Sequence, residues 1–222
     1  MEPIIKAAAD LRYLLEKGYP RPAALTFVGN HYQLIQAERE LLNRGAYPDA
    51  VAKARQEKLA RPWHVTGRPL GIDGHNVLIT LESALLGRDL IEADDGLIRD
   101  IAGVFASYRP GAVTDQALEL ILDFLKRMVP ESVLFLLDAP MSHSGDLASQ
   151  ITSALAARNL IGQAKAVPVP EKILYDFPGL VATSDSVLID RAAEPFDLAG
   201  HLIKEHMPDL RIQTLSQPPS SK

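Results

Sequence analysis

From residue 69 onward, short apolar runs alternate with longer stretches whose apolar residues recur at helical spacing. That alternation restricts the chain to an α/β architecture with a mostly parallel sheet, because consecutive parallel strands need a crossover between them. Val133–Leu137 is the clearest strand: an unbroken apolar run, as expected when both faces are covered. Ahead of it, Ala117, Leu118, Ile121, Leu122, Leu125 and Met128 share one face of a helix over Thr114–Val129, with Thr114 or Asp115 as cap and Pro130 as terminator. Further strands are predicted at Pro69–Asp73, Ala164–Val169, Ile173–Tyr175 and Leu180–Thr183. Helices are predicted at Val77–Leu86, Asp146–Leu160 and Leu198–His206.

Residues 1–68 lack this alternation and read as a small helical region. Leu11, Leu14 and Leu15 lie on one helical face, Gly18-Tyr19-Pro20 stops that helix, and Pro22 suits the first turn of the next. The expected organisation is therefore a helical region over 1–68, an α/β domain over 69–212 and a flexible tail over 213–222. Charge divides along the same line: the net charge of −5 is the balance of +4 in residues 1–68 and −9 in the remainder. A mildly basic head on an acidic body suits a nucleic-acid grip, with Arg21, Arg39 and Arg44 as candidate contacts.

Composition excludes several classes. There is no cysteine, so disulfides, thiolate nucleophiles and Cys-bound zinc are absent. No apolar run reaches the ~18 residues of a membrane helix. The start, Met1-Glu2-Pro3-Ile4-Ile5-Lys6, lacks a secretory layout, and a cytoplasmic protein is expected. A homo-oligomer is compatible with the sequence. Neither a Walker-type loop nor Gly-x-Gly-x-x-Gly occurs. Ser142-His143-Ser144 has no nucleophile elbow around it, and His201 and His206 are five apart rather than four.

Three predicted strands run into an acidic residue: Leu70-Gly71-Ile72-Asp73, Leu134-Phe135-Leu136-Leu137-Asp138 and Val181-Ala182-Thr183-Ser184-Asp185. In an open parallel sheet, ligands bind beyond the carboxyl ends of the strands. Carboxylates converging there repel one another, and a divalent cation relieves the repulsion. Oxygen ligands favour Mg²⁺ or Mn²⁺, ions that activate water and neutralise charge on a phosphoryl group. Asn76, three residues after Asp73, is placed to hold a phosphate oxygen or water. Ser184, Arg99 and Arg109 are candidate substrate contacts, and Asp94-Asp95-Gly96 is a further acidic cluster in a loop.

Ile72-Asp73-Gly74-His75-Asn76-Val77 looks like the first-strand motif of NYN domains, relatives of the PIN-domain nucleases, in which an Asp-Gly-aromatic-Asn segment opens the site; His75 stands where an aromatic is usual. Val181-Ala182-Thr183-Ser184-Asp185-Ser186 is similar to that superfamily's late strand, and Asp138 matches the acidic residue after its middle strand. The resemblance covers residues 69–200. It implies a PIN/NYN-like three-layer domain with a mostly parallel central sheet, and a metal-dependent endonuclease acting on RNA rather than DNA. The implied ligands are Asp73, Asp138 and Asp185, with a further carboxylate among Glu82, Asp94, Asp95 and Asp100, of which Asp95 is carried as the candidate. Alternatives are a non-catalytic RNA- or nucleotide-binding protein on the same scaffold, or a metal-dependent phosphatase of small phosphoesters.

The chain also resembles an uncharacterised prokaryotic family catalogued as domain of unknown function four-three-four. Leu11-Arg12-Tyr13-Leu14-Leu15, Gly18-Tyr19-Pro20, Asp94–Asp100 and Asp197-Leu198-Ala199-Gly200-His201 carry that likeness, which extends over nearly the full length.

Overall fold

The computed structural model describes residues 2–101 and 108–215, which form two compact units. The first unit takes residues 2–57, 89–101 and 211–215; the second takes 58–88 and 108–210.

In the first unit, helices α1 (Glu2–Glu16), α2 (Arg21–His31) and α3 (Gln36–Gly45) bury Leu11, Val28 and Leu42 against one another. Helix α4 (Asp49–Lys58) follows. A small sheet completes the unit: β2 (Leu90–Glu92) pairs antiparallel with β3 (Ile98–Asp100) and parallel with β8 (Gln213–Thr214). Ile91 and Leu215 enter the same core as the helices. The unit is thus built from three separated stretches of chain, not from residues 1–68 alone. Residues 213–215 are a paired strand and a buried leucine rather than a flexible tail, because Leu215 has apolar surface to bury. Residues 216–222 lie outside the described residues.

The second unit is built on five strands, β1 (Pro69–Asp73), β4 (Ser132–Asp138), β5 (Gly162–Val167), β6 (Leu180–Ala182) and β7 (Pro195–Phe196). They form one sheet in the order β5-β4-β1-β6-β7, parallel at every pairing. The crossovers include α5 (Gly74–Leu85), α6 (Ala112–Met128), α7 (Ser144–Ala157), α8 (Pro170–Leu174) and α9 (Ser186–Arg191); α10 (Leu198–His206) follows β7. Helices cover both faces. Leu136 and Val181 pack on Leu174 of α8 and Leu188 of α9, whereas Phe135 and Leu137 face the start of α5. Residues 173–175, expected as a strand, instead belong to the end of α8 and its cap: Pro170 presets the first turn, and Leu174 is buried over the sheet.

Two glycines set how closely the layers approach. A side chain at Gly74 would stand 2.6 Å from the Leu136 carbonyl oxygen and 2.5 Å from Phe135, so the absence of a Cβ lets α5 begin directly on the sheet. At Gly71, Leu174 and Phe177 occupy the place of a side chain, and α8 lies across β1. Among the described residues, no helix is long and apolar enough to cross a membrane.

Candidate functional site

In a sheet ordered β5-β4-β1-β6-β7, successive crossovers run outward from β1 in opposite directions. The switch point lies between the carboxyl ends of β1 and β6. Asp73 ends β1 at that point, and Thr183-Ser184-Asp185 follows β6.

Asp73 is only 6% exposed. Although it stands at the N-cap of α5, its side chain does not cap the helix. Oδ2 instead accepts the Thr183 hydroxyl at 2.9 Å, and Thr183 Oγ1 in turn accepts the Asp185 amide at 3.0 Å. Asp185 caps α9, with Oδ1 accepting the amides of Val187 and Leu188. Burial pushes the Asp73 carboxyl up to about 8; the Thr183 hydrogen bond opposes this, and the charges of Asp185, Asp138 and Glu171 add to it. Asp73 therefore feels the charges of both other predicted aspartates.

The first turn of α5 reaches both neighbouring strands. Asn76 Oδ1 accepts the Ser184 amide at 2.8 Å and its hydroxyl at 3.0 Å. The amide donor fixes which end of the carboxamide is oxygen, so the Nδ2 group is the end left to offer protons. On the other side, His75 is fully buried, and its Nδ1 lies 2.9 Å from both Oδ2 and the backbone nitrogen of Asp138. The Ser144 hydroxyl donates to the Asp138 carbonyl, fixing the loop after β4.

Sequence reasoning missed Glu171. It was hidden by reading residues 164–169 and 173–175 as two strands, which left it in a gap. In the structure it lies in the first turn of α8, half-buried. Pro170 before it was the available signal, since proline followed by an acidic residue opens helices. Carboxylates thus stand at or beyond the ends of four adjacent strands: Glu171 after β5, Asp138 ending β4, Asp73 ending β1 and Asp185 after β6.

Other expected site residues have different duties. Asp95, carried as a metal ligand, belongs to the first unit and is fully buried. Its Oδ2 accepts from Arg55 and Arg99 at 2.8 Å each, and its Oδ1 from Arg99 at 2.7 Å. Burial alone would raise its pKa; the hydrogen bonds and charges of Arg99 and Arg55 overcome this and hold it below the ordinary value. Asp95 is a structural anion, and Arg99, expected to contact substrate, is buried as its partner. Arg109 is exposed and follows Tyr108 in the second unit.

Asp94 is likewise held by Arg12 through two hydrogen bonds, and Asp100 also belongs to the first unit. Only Glu82, among the expected helical carboxylates, lies in the second unit, where it accepts the Tyr108 hydroxyl at 2.8 Å.

The arginines expected to grip nucleic acid are engaged internally. Arg21 donates to the carbonyls of Asn43 and Ala46, Arg39 to those of Leu34 and the Asn30 side chain, and Arg44 to Glu40. A cleft of about 720 Å³ in the first unit is lined by Arg12, Lys53, Gln56, Glu92 and Asp94 and includes none of the strand-end residues. Within that cleft Arg12 and Asp94 are paired with each other.

A divalent ion would meet only oxygen donors at the strand ends, which suits Mg²⁺ or Mn²⁺ in kind. Among the described residues, no group of three or more His, Asp or Glu side chains is drawn together closely enough to hold an ion. Asp138 is turned to His75 and Asp185 to its own helix.

Residues 62–201 match the family described as Domain of unknown function (DUF5616), and residues 4–58 match Protein of unknown function (DUF434). The resemblance to the latter family is therefore confined to the head rather than running the full length. The chain is 36% identical over 186 residues to Uncharacterized protein MJ0935 of Methanocaldococcus jannaschii, an alignment spanning 84% of this chain and 88% of that relative. No solved structure matches. The chain belongs to the family described as Domain of unknown function (DUF5616), with a DUF434 segment ahead of that region.

Proposed function

We propose that the second unit is a PIN/NYN-like phosphodiester hydrolase that uses Mg²⁺ or Mn²⁺ and cleaves RNA. The observation that carries this reading is a carboxyl buried at the switch point, with carboxylates from three other elements close enough to raise its pKa. Such a grouping is costly without a cation, since each added negative charge further disfavours ionisation of the first. The three layers and the wholly parallel sheet support the PIN/NYN-like assignment.

Asp73, Asp138 and Asp185 would hold the ion, with Glu171 beside them, once Asp138 and Asp185 turn away from the partners they hold in this structure. When bound, it supplies charge neutralisation at the phosphoryl oxygens and acidifies water. Thr183 holds Asp73 in place through its hydroxyl. Asn76, braced by Ser184, presents its Nδ2 protons to a phosphate oxygen. Arg109 remains as an exposed cation for the substrate backbone.

A second reading is a non-catalytic RNA- or nucleotide-binding protein on the same scaffold. The engagement of Asp138 with His75 and of Asp185 with its helix favours it. The test is a panel of single-stranded RNA, duplex RNA, DNA and a small phosphoester, each with Mn²⁺, Mg²⁺ or EDTA. Metal-dependent RNA cleavage supports the proposal. Binding without turnover supports the second reading. Hydrolysis of the small phosphoester alone identifies a phosphatase, and cleavage that persists in EDTA overturns the metal site.

A further inference from the structure

We infer that His75 is the positioning residue for Asp138: a buried imidazole whose Nδ1 accepts the Asp138 amide and so fixes the backbone of the residue ending β4. This inference rests on the reading of Asp138 as part of the ion site, and it assigns a role to a residue that departs from the aromatic usual at this place in the motif.

His75 is fully buried, and Nδ1 lies 2.9 Å from Asp138 Oδ2 and 2.9 Å from Asp138 N. The amide can only donate, so Nδ1 accepts it and carries no proton for the carboxylate oxygen beside it. An aromatic hydrocarbon could fill the same space but could not accept the amide proton. The ring is itself held. Tyr108 packs edge-on against it, with centroids 5.4 Å apart. The Tyr108 hydroxyl is anchored on Glu82 at 2.8 Å and lies 3.4 Å from the Thr114 hydroxyl. Glu82 sits two turns along α5 from His75, so both ends of this chain of contacts are borne by the helix that Asp73 precedes. Asn76, the next residue, braces Ser184 on the opposite side. The first turn of α5 thus brackets the site, with His75 holding the β4 side and Asn76 the β6 side. Residues that orient a metal ligand typically affect metal affinity by about 10- to 100-fold.

Three variants separate positioning from packing. His75→Phe keeps a ring against Tyr108 and removes Nδ1. His75→Asn places a polar atom where Nδ1 stands, and His75→Gln places one a bond further out. Mn²⁺ affinity is read from the loss of the free-ion signal in electron paramagnetic resonance, on samples whose folding is checked by thermal melting. Exchange of the Asp138 backbone amide is followed by NMR without metal. His75→Phe and His75→Gln should lose about 10- to 100-fold in Mn²⁺ affinity, while His75→Asn should stay within about threefold of wild type. Asp138 amide protection should fall in His75→Phe and persist in His75→Asn. A folded His75→Phe protein with wild-type affinity and wild-type Asp138 protection overturns the inference. If His75→Phe fails to fold, the Asn and Gln pair decides, and equal behaviour of the two overturns it. If wild type binds no Mn²⁺, the metal reading fails separately, and the amide-exchange comparison alone upholds or overturns the positioning role.

Discussion

Thr183 donates its hydroxyl proton to Asp73 at 2.9 Å while accepting the amide proton of Asp185 at 3.0 Å, so one hydroxyl joins the end of β1 to the turn after β6. The amide occupies one lone pair of the hydroxyl, and the hydroxyl proton goes to Asp73. Removing the hydroxyl leaves a buried carboxyl and a part-buried amide each without that partner. Thr183→Val is expected to lower stability by about 1–3 kcal/mol. Thr183→Ser should recover most of the loss. Urea unfolding of the three proteins checks this, and equal midpoints for Val and Thr would contradict it.

The buried Asp73 carboxyl makes stability depend on pH in a defined direction. Its pKa is raised from 3.8 to about 8, so between those values the folded state holds a proton that the unfolded chain releases. Stability from this group is complete at low pH and is lost as pH rises toward 8. Asp73→Asn removes the titration but keeps an oxygen for Thr183. In EDTA, its advantage over wild type should grow from pH 4 to pH 8 and then level off, reaching a magnitude on the order of a few kcal/mol. Thermal melts across that range test the sign. A difference that is flat or shrinks with pH would refute the burial argument.

Gly74 follows Asp73 because of packing rather than turn geometry. Alanine at that position gains at most about 1 kcal/mol in helix propensity. Its Cβ would stand 2.6 Å from the Leu136 carbonyl oxygen, which the sheet holds in place, and 2.5 Å from Phe135. Overpacking of this kind costs about 1–3 kcal/mol or more, so the clash outweighs the propensity. Gly74→Ala should therefore be destabilising in chemical denaturation, and a stabilised variant would show that α5 can lift off the sheet.

Asp95 provides a control for the site. It is the buried counter-ion of Arg55 and Arg99, and its removal leaves two buried guanidiniums short of an anion. Asp95→Ala should cost about 3–5 kcal/mol. Asp95→Asn, assayed where it remains folded, should bind Mn²⁺ as wild type does. Weakened Mn²⁺ binding in the folded Asn variant would restore Asp95 to the site.

The α/β class and the three strand-end aspartates were legible because apolar runs and the residues that end them are local features. Val133–Leu137 and Leu180–Ala182 are recognisable from their own composition. The small sheet was not. β2, β3 and β8 have two or three residues each, too short for a period, and β8 pairs with a strand more than a hundred residues away. The same non-locality misplaced Asp95 and Arg99. Acidic and basic residues in a loop look available until the fold shows them facing each other in a core. Glu171 was lost to a single misread element, since Ile173-Leu174-Tyr175 is as apolar as a strand and is a helix end only because Pro170 and the packing of Leu174 make it one. Gly74 was legible as a glycine but not as a contact, because its neighbours come from β4.

The most direct measurement is the rate of RNA cleavage at pH 8 with saturating Mn²⁺, compared between wild type and Asp73→Asn, with Asp95→Asn as the folded control. Wild type and Asp95→Asn are predicted to cleave at similar rates, and Asp73→Asn to be slower by at least about 10²-fold, the scale seen when a group stabilising transition-state charge is removed. Equal rates for wild type and Asp73→Asn would contradict the assignment of the reaction to the end of β1.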